Sequence, residues 1–566
     1  MVLPGYRDPR TYMPEGKYPD DWPPFERIHP PDWRSFKIPN PPEWTNATEY
    51  VLDRHIGTPV EKKTALIADD VKYTYRDVLE QVCKAANAMT KTFNLDYDNR
   101  VLIVAPDYIE ALVTWLGAQR AGITPCWVSH LYKSHDIKYF IEDTACKVLF
   151  IDGKQAEKVN EIRHELPPTL KHIVVYRADG NLSWARDYQE LVGNMPGEFQ
   201  PLKKHVDDFT YLFYSGGTTG RPKCIIHLVR DFTWIPYAFV NYMEWRPDDI
   251  HYDTSPKFHD HGIWPGAMIP MWNGATAILV SEPLTPKLVV DVIEKHKPTI
   301  LTTVPTVLKW LVAFPEEYGR KPSFQSIRMV HSAAEQIPMV IHQKFLEIYG
   351  IEIFDSIGCS EVSYEWFANR PKEHKMGSTG KPIFGYEALL VDPNTFEIIR
   401  EPNKEGEMWV KADSVLAFYW RKYHKSKDVL IGPWFRTGDV MYFDEEGFLW
   451  HVSRLDDVFK SHGMWVSPLE VEGVIMQHHA VKEAAVVPKK DDADGLTYPK
   501  AFVVLKSGYT LTPAMVKEIQ ELVRKSIGGY KVPKWIEQID EIPRTTFQKI
   551  SRVTLRKLEE ERQKPS

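Results

Sequence analysis

Short apolar segments that alternate with amphipathic segments of helical period constrain the fold of this 566-residue chain more than any other feature. A first block has predicted strands at Val101–Ala105, Lys147–Ile151 and His172–Tyr176, with helices at Tyr108–Ala121 and near 154–165. A second block has strands at Thr276–Val280, Thr299–Val304, Arg328–His331 and Ile351–Phe354, with helices at Pro286–His296, Thr306–Ala313 and Met339–Tyr349. Strands that alternate with helices in this way form parallel sheets with both faces covered. The pattern therefore predicts an α/β fold, with parallel-type sheets covered by helices in one large N-terminal domain.

A smaller domain of mixed α+β type is predicted after about residue 454. Ser467-Pro468-Leu469-Glu470 is a capping box with proline at the first helical position, so a helix begins there. Predicted strands follow at Glu483–Val487, Pro499–Leu505 and Trp535–Ile539, with helices from Thr512-Pro513 to Lys525 and from Ser551. We expect a large domain over residues 46–454 and a small C-terminal domain over 456–566.

The first 45 residues have a different composition. They contain 11 of the chain's 43 prolines, interleaved with tryptophan and tyrosine. Proline restricts the backbone to extended and turn conformations. This pattern predicts an irregular N-terminal arm whose aromatic side chains pack onto the main body.

Composition excludes several classes of protein. A net charge of −7 argues against general affinity for nucleic acid or for anionic membranes. No segment approaches the roughly 18 uncharged apolar residues of a membrane span, and the first residues do not resemble a signal peptide. Five scattered cysteines without a Cys-x-x-Cys pair fit a reducing compartment. We expect a soluble, cytoplasmic protein, for which a homo-oligomer stays open.

The segment Tyr214-Ser-Gly-Gly-Thr-Thr-Gly-Arg-Pro-Lys223 has the composition of a polyphosphate-binding loop. Its three glycines let backbone N–H groups approach a bulky anion, its hydroxyls add donors and its lysine adds charge. It is not a Walker A loop, because Arg-Pro separates the last glycine from the lysine and Cys224 follows it. A glycine-rich surface turn is the alternative that we disfavour.

Three further motifs follow in the chain. Phe354-Asp-Ser-Ile-Gly-Cys-Ser-Glu361 follows a predicted strand and ends in a hydroxyl beside a carboxylate, which suits Mg²⁺ between phosphate oxygens. Trp434-Phe-Arg-Thr-Gly-Asp439 precedes Ser453-Arg454-Leu-Asp-Asp457 and Phe459-Lys-Ser-His-Gly-Met-Trp465. Pro543-Arg-Thr-Thr-Phe-Gln-Lys549 ends in a lysine that composition alone would assign to the solvated surface.

Taken together, these four motifs resemble the adenylate-forming superfamily, which includes acyl-CoA synthetases, adenylation domains and luciferases. The runs Gly358–Arg370 and Trp465–Pro468 look most like its benzoate or aryl-CoA ligase branch. The resemblance implies an AMP-forming carboxylate–CoA ligase that uses ATP, CoA and Mg²⁺ and whose C-terminal domain rotates between two half-reactions. Cys224, Ile357 and Gln548 depart from the usual family pattern of glycine, an aromatic residue and glycine.

The resemblance also implies roles for individual residues. Catalytic roles fall on Thr218, Ser360, Glu361 and Lys549, with Glu361 also as the Mg²⁺ ligand and Asp456 as the hinge. Nucleotide and CoA contacts fall on Ser215, Gly216, Gly217, Thr218, Thr219, Gly220, Lys223, Glu335, Asp355, Ser356, Ile357, Gly358, Asp439, Arg454, Ser461, His462, Gly463 and Trp465.

The acyl pocket is assigned to His259, Asp260, His261, Ser332 and Ala333. The His-Asp-His string is polar where the aryl branch is apolar, and a buried polar group without a partner costs about 1–3 kcal/mol. We therefore expect a compact aromatic or short acid that bears a hydroxyl or amino group. A metal site at this string is disfavoured, because no third ligand occurs at a familiar spacing.

Two other functions stay open at this point. A stand-alone adenylating enzyme would load an acyl carrier protein instead of CoA. An inactive relative with a binding role is disfavoured because Lys223, Glu361, Asp439, Arg454 and Lys549 are all present.

Overall fold

The computed structural model describes residues 37–563 except 181, 216–220, 456, 458, 462–463, 492–493, 495 and 545–549. Most of the predicted N-terminal arm therefore lies outside the described residues. Three sheets form the body of the N-terminal region, and a smaller sheet forms the core of the C-terminal region. No described helix is both long enough and apolar enough to cross a bilayer.

The first sheet has seven described strands. In spatial order they are Lys223–Leu228, Phe209–Ser215, Thr124–Val128, Arg100–Val104, Val148–Asp152, His172–Tyr176 and Arg186–Asp187. All neighbours are parallel except the hairpin of the first two strands. Buried apolar residues dominate the central strands Thr124–Val128, Arg100–Val104 and Val148–Asp152, which suits a sheet buried on both faces.

The second sheet has nine described strands and a parallel centre. In spatial order they are Lys381–Pro382, Glu365–Ala368, Ile353–Gly358, Met329–Ser332, Ile300–Thr303, Ile250–Asp253, Thr276–Leu279, Thr64–Ala68 and Val71–Thr74. The strands from Ile353–Gly358 to Thr64–Ala68 are parallel, so their carboxyl ends meet at one edge. Ligands in open α/β sheets bind at this edge.

A third, antiparallel sheet completes the N-terminal region, and the sequence patterns did not anticipate it. Its strands are Glu387–Val391, Gly406–Lys411, Trp434–Phe443, Leu430–Ile431 and Leu449–Arg454. The C-terminal sheet contains Val481–Lys490, Thr497–Leu505 and Trp535–Gln538. Two small antiparallel pairs join Trp44–Thr45 to Lys204–His205 and Phe459–Ser461 to Met464–Val466.

Helices cover these sheets. The α-helices are Ala47–Val51, Tyr75–Asn87, Ile109–Arg120, Ser134–Thr144, Ala156–Ile162, Tyr188–Gly193, Asp231–Met243, Asp260–Ile263, Ile269–Asn273, Pro286–His296, Pro305–Tyr318, Met339–Tyr349, Tyr423–Val429, Pro468–Ile475, Pro513–Ile527 and Arg552–Gln563. Half of the predicted capping box is present: the Ser467 hydroxyl accepts a hydrogen bond from the Glu470 backbone N–H, whereas the Glu470 carboxylate accepts hydrogen bonds from Lys531. The predicted α/β class with a smaller α+β region is confirmed.

Candidate active site

The glycine-rich segment connects the two strands of a β-hairpin. Strands Phe209–Ser215 and Lys223–Leu228 pair with Ser215 opposite Lys223. The loop residues Gly216, Gly217, Thr218, Thr219 and Gly220 lie outside the described residues, so their phosphate contacts stay a prediction. The hairpin register places a hydroxyl and an ammonium group on the two sides of the loop mouth.

Glu361 meets that hairpin from the second sheet. It lies in a short 3₁₀ turn, Ser360–Val362, that follows the strand Ile353–Gly358. Its Oε1 accepts hydrogen bonds from the hydroxyl of Ser215 at 3.1 Å and from that of Tyr419 at 2.9 Å, and Lys223 Nζ lies 3.6 Å from the same oxygen. Burial favours the neutral acid, but Lys223 and Tyr419 outweigh it and lower the pKa of Glu361. The two sheets thus meet at an ionised carboxylate.

Tyr419 belongs to this arrangement although no local motif marks it. Lys223 Nζ lies 4.6 Å from the centroid of its buried ring, a cation–π distance. Burial and the nearby carboxylate of Glu361 raise the pKa of Tyr419, so its hydroxyl stays a donor. Backbone hydrogen bonds from Ala417 and Trp420 to Ile226 and Cys224 bring this segment to the hairpin. The contact depends on an antiparallel bridge between Tyr419 and Ile225 at the edge of the first sheet, which sequence periodicity did not reveal.

His227 contacts the same turn, and it was also absent from the predicted site residues. Its Nε2 lies 2.7 Å from the Ser360 carbonyl oxygen, and its Nδ1 lies 2.9 Å from Oδ2 of Asp231. The Tyr211 hydroxyl donates to Oδ2 of Asp231 at 2.8 Å. The Ser360–Glu361 turn therefore sits on a buried polar chain, which limits its movement. A histidine four residues before an aspartate on a helix start was the only sequence signal for it.

Asp439 and Arg454 lie opposite each other on strands Trp434–Phe443 and Leu449–Arg454. Arg454 Nη1 donates to both carboxylate oxygens of Asp439 at 2.9 Å, and His451 Nε2 lies 3.2 Å from Oδ1 of Asp439. Burial would raise the pKa of Asp439, but Arg454 and His451 lower it to about 2. The pKa of Arg454 is raised by the Asp439 charge. Asp439 is thus ionised at neutral pH and can accept hydrogen bonds.

The His259-Asp260-His261 string finds partners within the chain. His259 Nδ1 lies 3.1 Å from Oδ1 of Asp260, and His261 Nδ1 lies 3.1 Å from Oε1 of Glu365. His331 Nε2 lies 3.0 Å from the other oxygen of Glu365. The prediction that the bound acid supplies a hydrogen-bond partner for this string therefore loses part of its basis, because His261 forms a cluster with Glu365 and His331 of the chain itself. Neither Glu365 nor His331 was among the predicted site residues.

The His261 charge predicts a pH dependence of stability. Burial disfavours the imidazolium, but Glu365, Asp253 and Asp260 outweigh it and raise the pKa of His261 to about 9. A group whose pKa rises on folding stabilises the protein below its unfolded pKa of about 6.5, and that stabilisation is lost as pH rises through the folded pKa. We expect the melting temperature to fall by a few degrees between pH 7 and pH 9.5.

His261→Gln should remove that decline, whereas the exposed His479→Gln should keep it. Asp253, whose pKa burial raises to about 6, titrates below the window. Differential scanning calorimetry at matched ionic strength makes the comparison. Parallel curves for His261→Gln and the wild type would contradict the charge assignment.

The remaining predicted residues of the N-terminal region lie close to these groups in the sheet. Asp355 and Ser332 are paired in register, and both are buried. Ser356 Oγ lies 2.8 Å from His331 Nε2. Ala333, Ile357 and Gly358 are buried or half-buried. A Cβ on Gly358 would lie 2.2 Å from the Tyr364 carbonyl oxygen, so only glycine allows this hairpin.

Predicted residues of the C-terminal region are described only in part. Ser461 is buried and pairs with Met464, and Trp465 is opposite Lys460 in backbone register. His462, Gly463, Asp456 and Lys549 lie outside the described residues. Glu335 in the N-terminal region is half-buried and interacts electrostatically with Arg552. Within the described ranges, no group of three or more metal-ligating side chains is placed to hold an ion.

Comparison with known proteins gives two family matches and full-length relatives. The AMP-binding enzyme family matches residues 52–420, and the AMP-binding enzyme C-terminal domain matches residues 470–549. Benzoate–CoA ligase of Thauera aromatica is 31% identical over 90% of this chain and 95% of that ligase. A 4-hydroxybenzoate–CoA/benzoate–CoA ligase of Rhodopseudomonas palustris is 30% identical over 91% and 94%. The crystal structure of an anthranilate CoA ligase in complex with anthranoyl-AMP superposes with a TM-score of 0.85, at 30% identity over 92% and 99%.

Proposed function

The chain belongs to the AMP-binding enzyme family, and we propose that it joins a compact aromatic carboxylic acid to CoA while converting ATP to AMP and diphosphate. The convergence of Ser215, Lys223 and Tyr419 on Glu361 carries this proposal. It combines anion-binding groups and an ionised carboxylate at the carboxyl edge of the second sheet.

In the first half-reaction, a carboxylate oxygen of the acid attacks the α-phosphorus of ATP, and diphosphate leaves. Lys223 and the 216–220 loop are proposed to hold the β- and γ-phosphates, and Thr218 and Ser360 to position the reacting groups. Lys549 would stabilise charge on the carboxylate and α-phosphate oxygens. The protein supplies positioning and charge stabilisation rather than covalent chemistry.

The residues around Glu361 fit a magnesium ion. All three side-chain contacts of Glu361 converge on Oε1, and Oε2 takes part in none of them. A bound Mg²⁺ would neutralise phosphate charge there, since this ion prefers one or two carboxylates together with substrate phosphates.

The nucleoside end of ATP is assigned to the third sheet and to the strand before Glu361. The ionised Asp439 is proposed to accept hydrogen bonds from the ribose hydroxyls, with Arg454 beside it. The residues Glu335, Asp355, Ser356, Ile357 and Gly358 are proposed to border the adenine and the adenylate.

In the second half-reaction, the CoA sulfur attacks the acyl carbonyl carbon of the adenylate, and AMP leaves. We propose that the small domain after Asp456 rotates about this residue. That rotation withdraws Lys549 and brings the hairpin loop with Ser461, His462, Gly463 and Trp465 to the CoA thiol. One site can serve two geometries by such a motion.

A cytoplasmic location of the protein is proposed from its cysteine chemistry. All five cysteines are free, which suits a reducing compartment such as the cytoplasm.

The test is AMP release from ATP with a panel of acids, with and without CoA. We expect benzoate-type acids to exceed acetate and octanoate at least about 10-fold in kcat/KM, a difference of about 1.4 kcal/mol. Multiple turnovers should require CoA. ATP–diphosphate exchange without thioester formation would indicate a carrier protein as acceptor, and absence of exchange with every acid would indicate a binding role.

A further inference from the structure

The hairpin Ile353–Gly358 and Glu365–Ala368 carries a buried carboxylate that the family reaction does not by itself require. Glu365 is opposite Gly358 in register, and its side chain is 2% exposed. The same hairpin carries Ser360 and Glu361 in its connecting turn. Glu365 is therefore held in the same corner of the protein as the proposed adenylation chemistry.

The two imidazoles beside Glu365 come from separate elements at the carboxyl edge of the second sheet. His261 lies on the short helix Asp260–Ile263, and His331 lies on the strand Met329–Ser332. Tyr364 precedes Glu365, and its ring lies 6.1 Å from that of His261 and 4.8 Å from that of Phe239. Aromatic rings thus surround one polar cluster.

The hydrogen bonds of this cluster are incomplete within the described part of the chain. Both imidazoles approach Glu365 at ion-pair distance, yet neither oxygen accepts a hydrogen bond of good geometry. The Ser332 and Tyr364 hydroxyls and Oδ2 of Asp253 also lack partners there. A purely structural buried carboxylate is normally saturated with donors, because each unmet group costs about 1–3 kcal/mol. The carboxylate oxygens of this cluster can therefore accept further hydrogen bonds.

The charged groups around Glu365 favour one kind of ligand. The carboxylates of Glu365, Asp253 and Asp260 raise the pKa of His261, and the buried Lys257 ammonium group beside Asp253 pairs with a further carboxylate, Asp107, at 3.4 Å. Among these described groups, the four carboxylates outnumber the cationic His261 and Lys257. Such a site attracts a hydrogen-bond donor and repels a second carboxylate. The aromatic surroundings suit a flat ring that carries this donor.

We propose that Glu365, oriented by His261 and His331, selects an aromatic acid whose ring bears a hydroxyl or amino donor. This inference rests on the proposed function and identifies its substrate class. A site built to bind such a group rejects the analogue that lacks it far more strongly than an apolar pocket rejects an extra methylene.

The experiment compares hydroxy-, amino- and fluorobenzoates at each ring position, because fluorine resembles a hydroxyl in size but cannot donate. With the wild type, we expect the best donor-bearing acid to exceed its fluoro counterpart at least about 100-fold in kcat/KM for ATP–diphosphate exchange. Hydroxy- and aminobenzoates in separate arms identify the donor. Equal rates for the donor and fluoro acids would overturn the inference without any variant.

Glu365→Gln should reduce that preference at least about 10-fold, measured as the ratio of kcat/KM for the donor-bearing acid to that for its fluoro counterpart in the same variant, since the charged acceptor is lost. Glu365→Asp keeps the charge for both imidazoles and should give an intermediate ratio. It replaces the first variant if Glu365→Gln fails to fold. An unchanged ratio in the folded variant would overturn the inference.

Failure of the proposed function is a separate outcome. If the wild type forms AMP with acetate or fatty acids but with no aromatic acid, the proposed function is wrong. The inference on Glu365 is then wrong as well. If fluorobenzoate and benzoate are turned over at the same rate as donor-bearing acids, only the inference on Glu365 is wrong.

Discussion

Glu361→Gln is expected to lower ATP–diphosphate exchange by at least about 100-fold, the loss typical for one electrostatic group of an active site. Glutamine keeps the shape and can still accept from Tyr419 and Ser215, but it removes the charge that faces Lys223. A neutral amide is also a poor Mg²⁺ ligand. We therefore also expect a higher Mg²⁺ concentration at half-maximal exchange.

The matched control is Glu347→Gln, which removes an exposed glutamate from the helix Met339–Tyr349. Both variants should melt near the wild-type temperature, so that a loss of folded protein is excluded. Exchange at the wild-type rate with unchanged Mg²⁺ dependence would show that Glu361 is a structural carboxylate only.

Lys549→Ala is expected to separate the two half-reactions. Formation of the adenylate from ATP and acid should fall by about 10²–10³ or more, because a preorganised charge at the transition state is lost. Conversion of preformed acyl adenylate and CoA to thioester should stay within about 3-fold, because the lysine is needed only in the first domain orientation. Lys549 lies outside the described residues, so this prediction rests on its motif and on the C-terminal family match over 470–549.

Quenched-flow chromatography of adenylate and thioester measures both steps with one protein. Lys525→Ala, an exposed lysine on the helix Pro513–Ile527, controls for the loss of a surface charge. If thioester formation from the preformed adenylate fell as far as the overall reaction, Lys549 would not belong to the first step alone.

Local sequence determined much of this protein. The helices Pro286–His296 and Met339–Tyr349 and the strand His172–Tyr176 have the predicted bounds, because proline, glycine and hydrophobic period act within a few residues. The glycine-rich loop and the Ser360–Glu361 turn were marked by contiguous motifs, whereas the hairpin that carries the loop was not predicted. The family resemblance is confirmed, and it depends on such motifs in a fixed order.

Only the tertiary structure decided which distant side chains meet. Tyr419 reaches Glu361 across 58 residues, and His227 reaches Ser360 across 133. His261, His331 and Glu365 converge because strand order in the second sheet places their elements side by side. Periodicity defines the faces of one element at a time and carries no information about its neighbours. The polar string at 259–261 was therefore visible in the sequence, whereas its carboxylate partner appeared only with the fold.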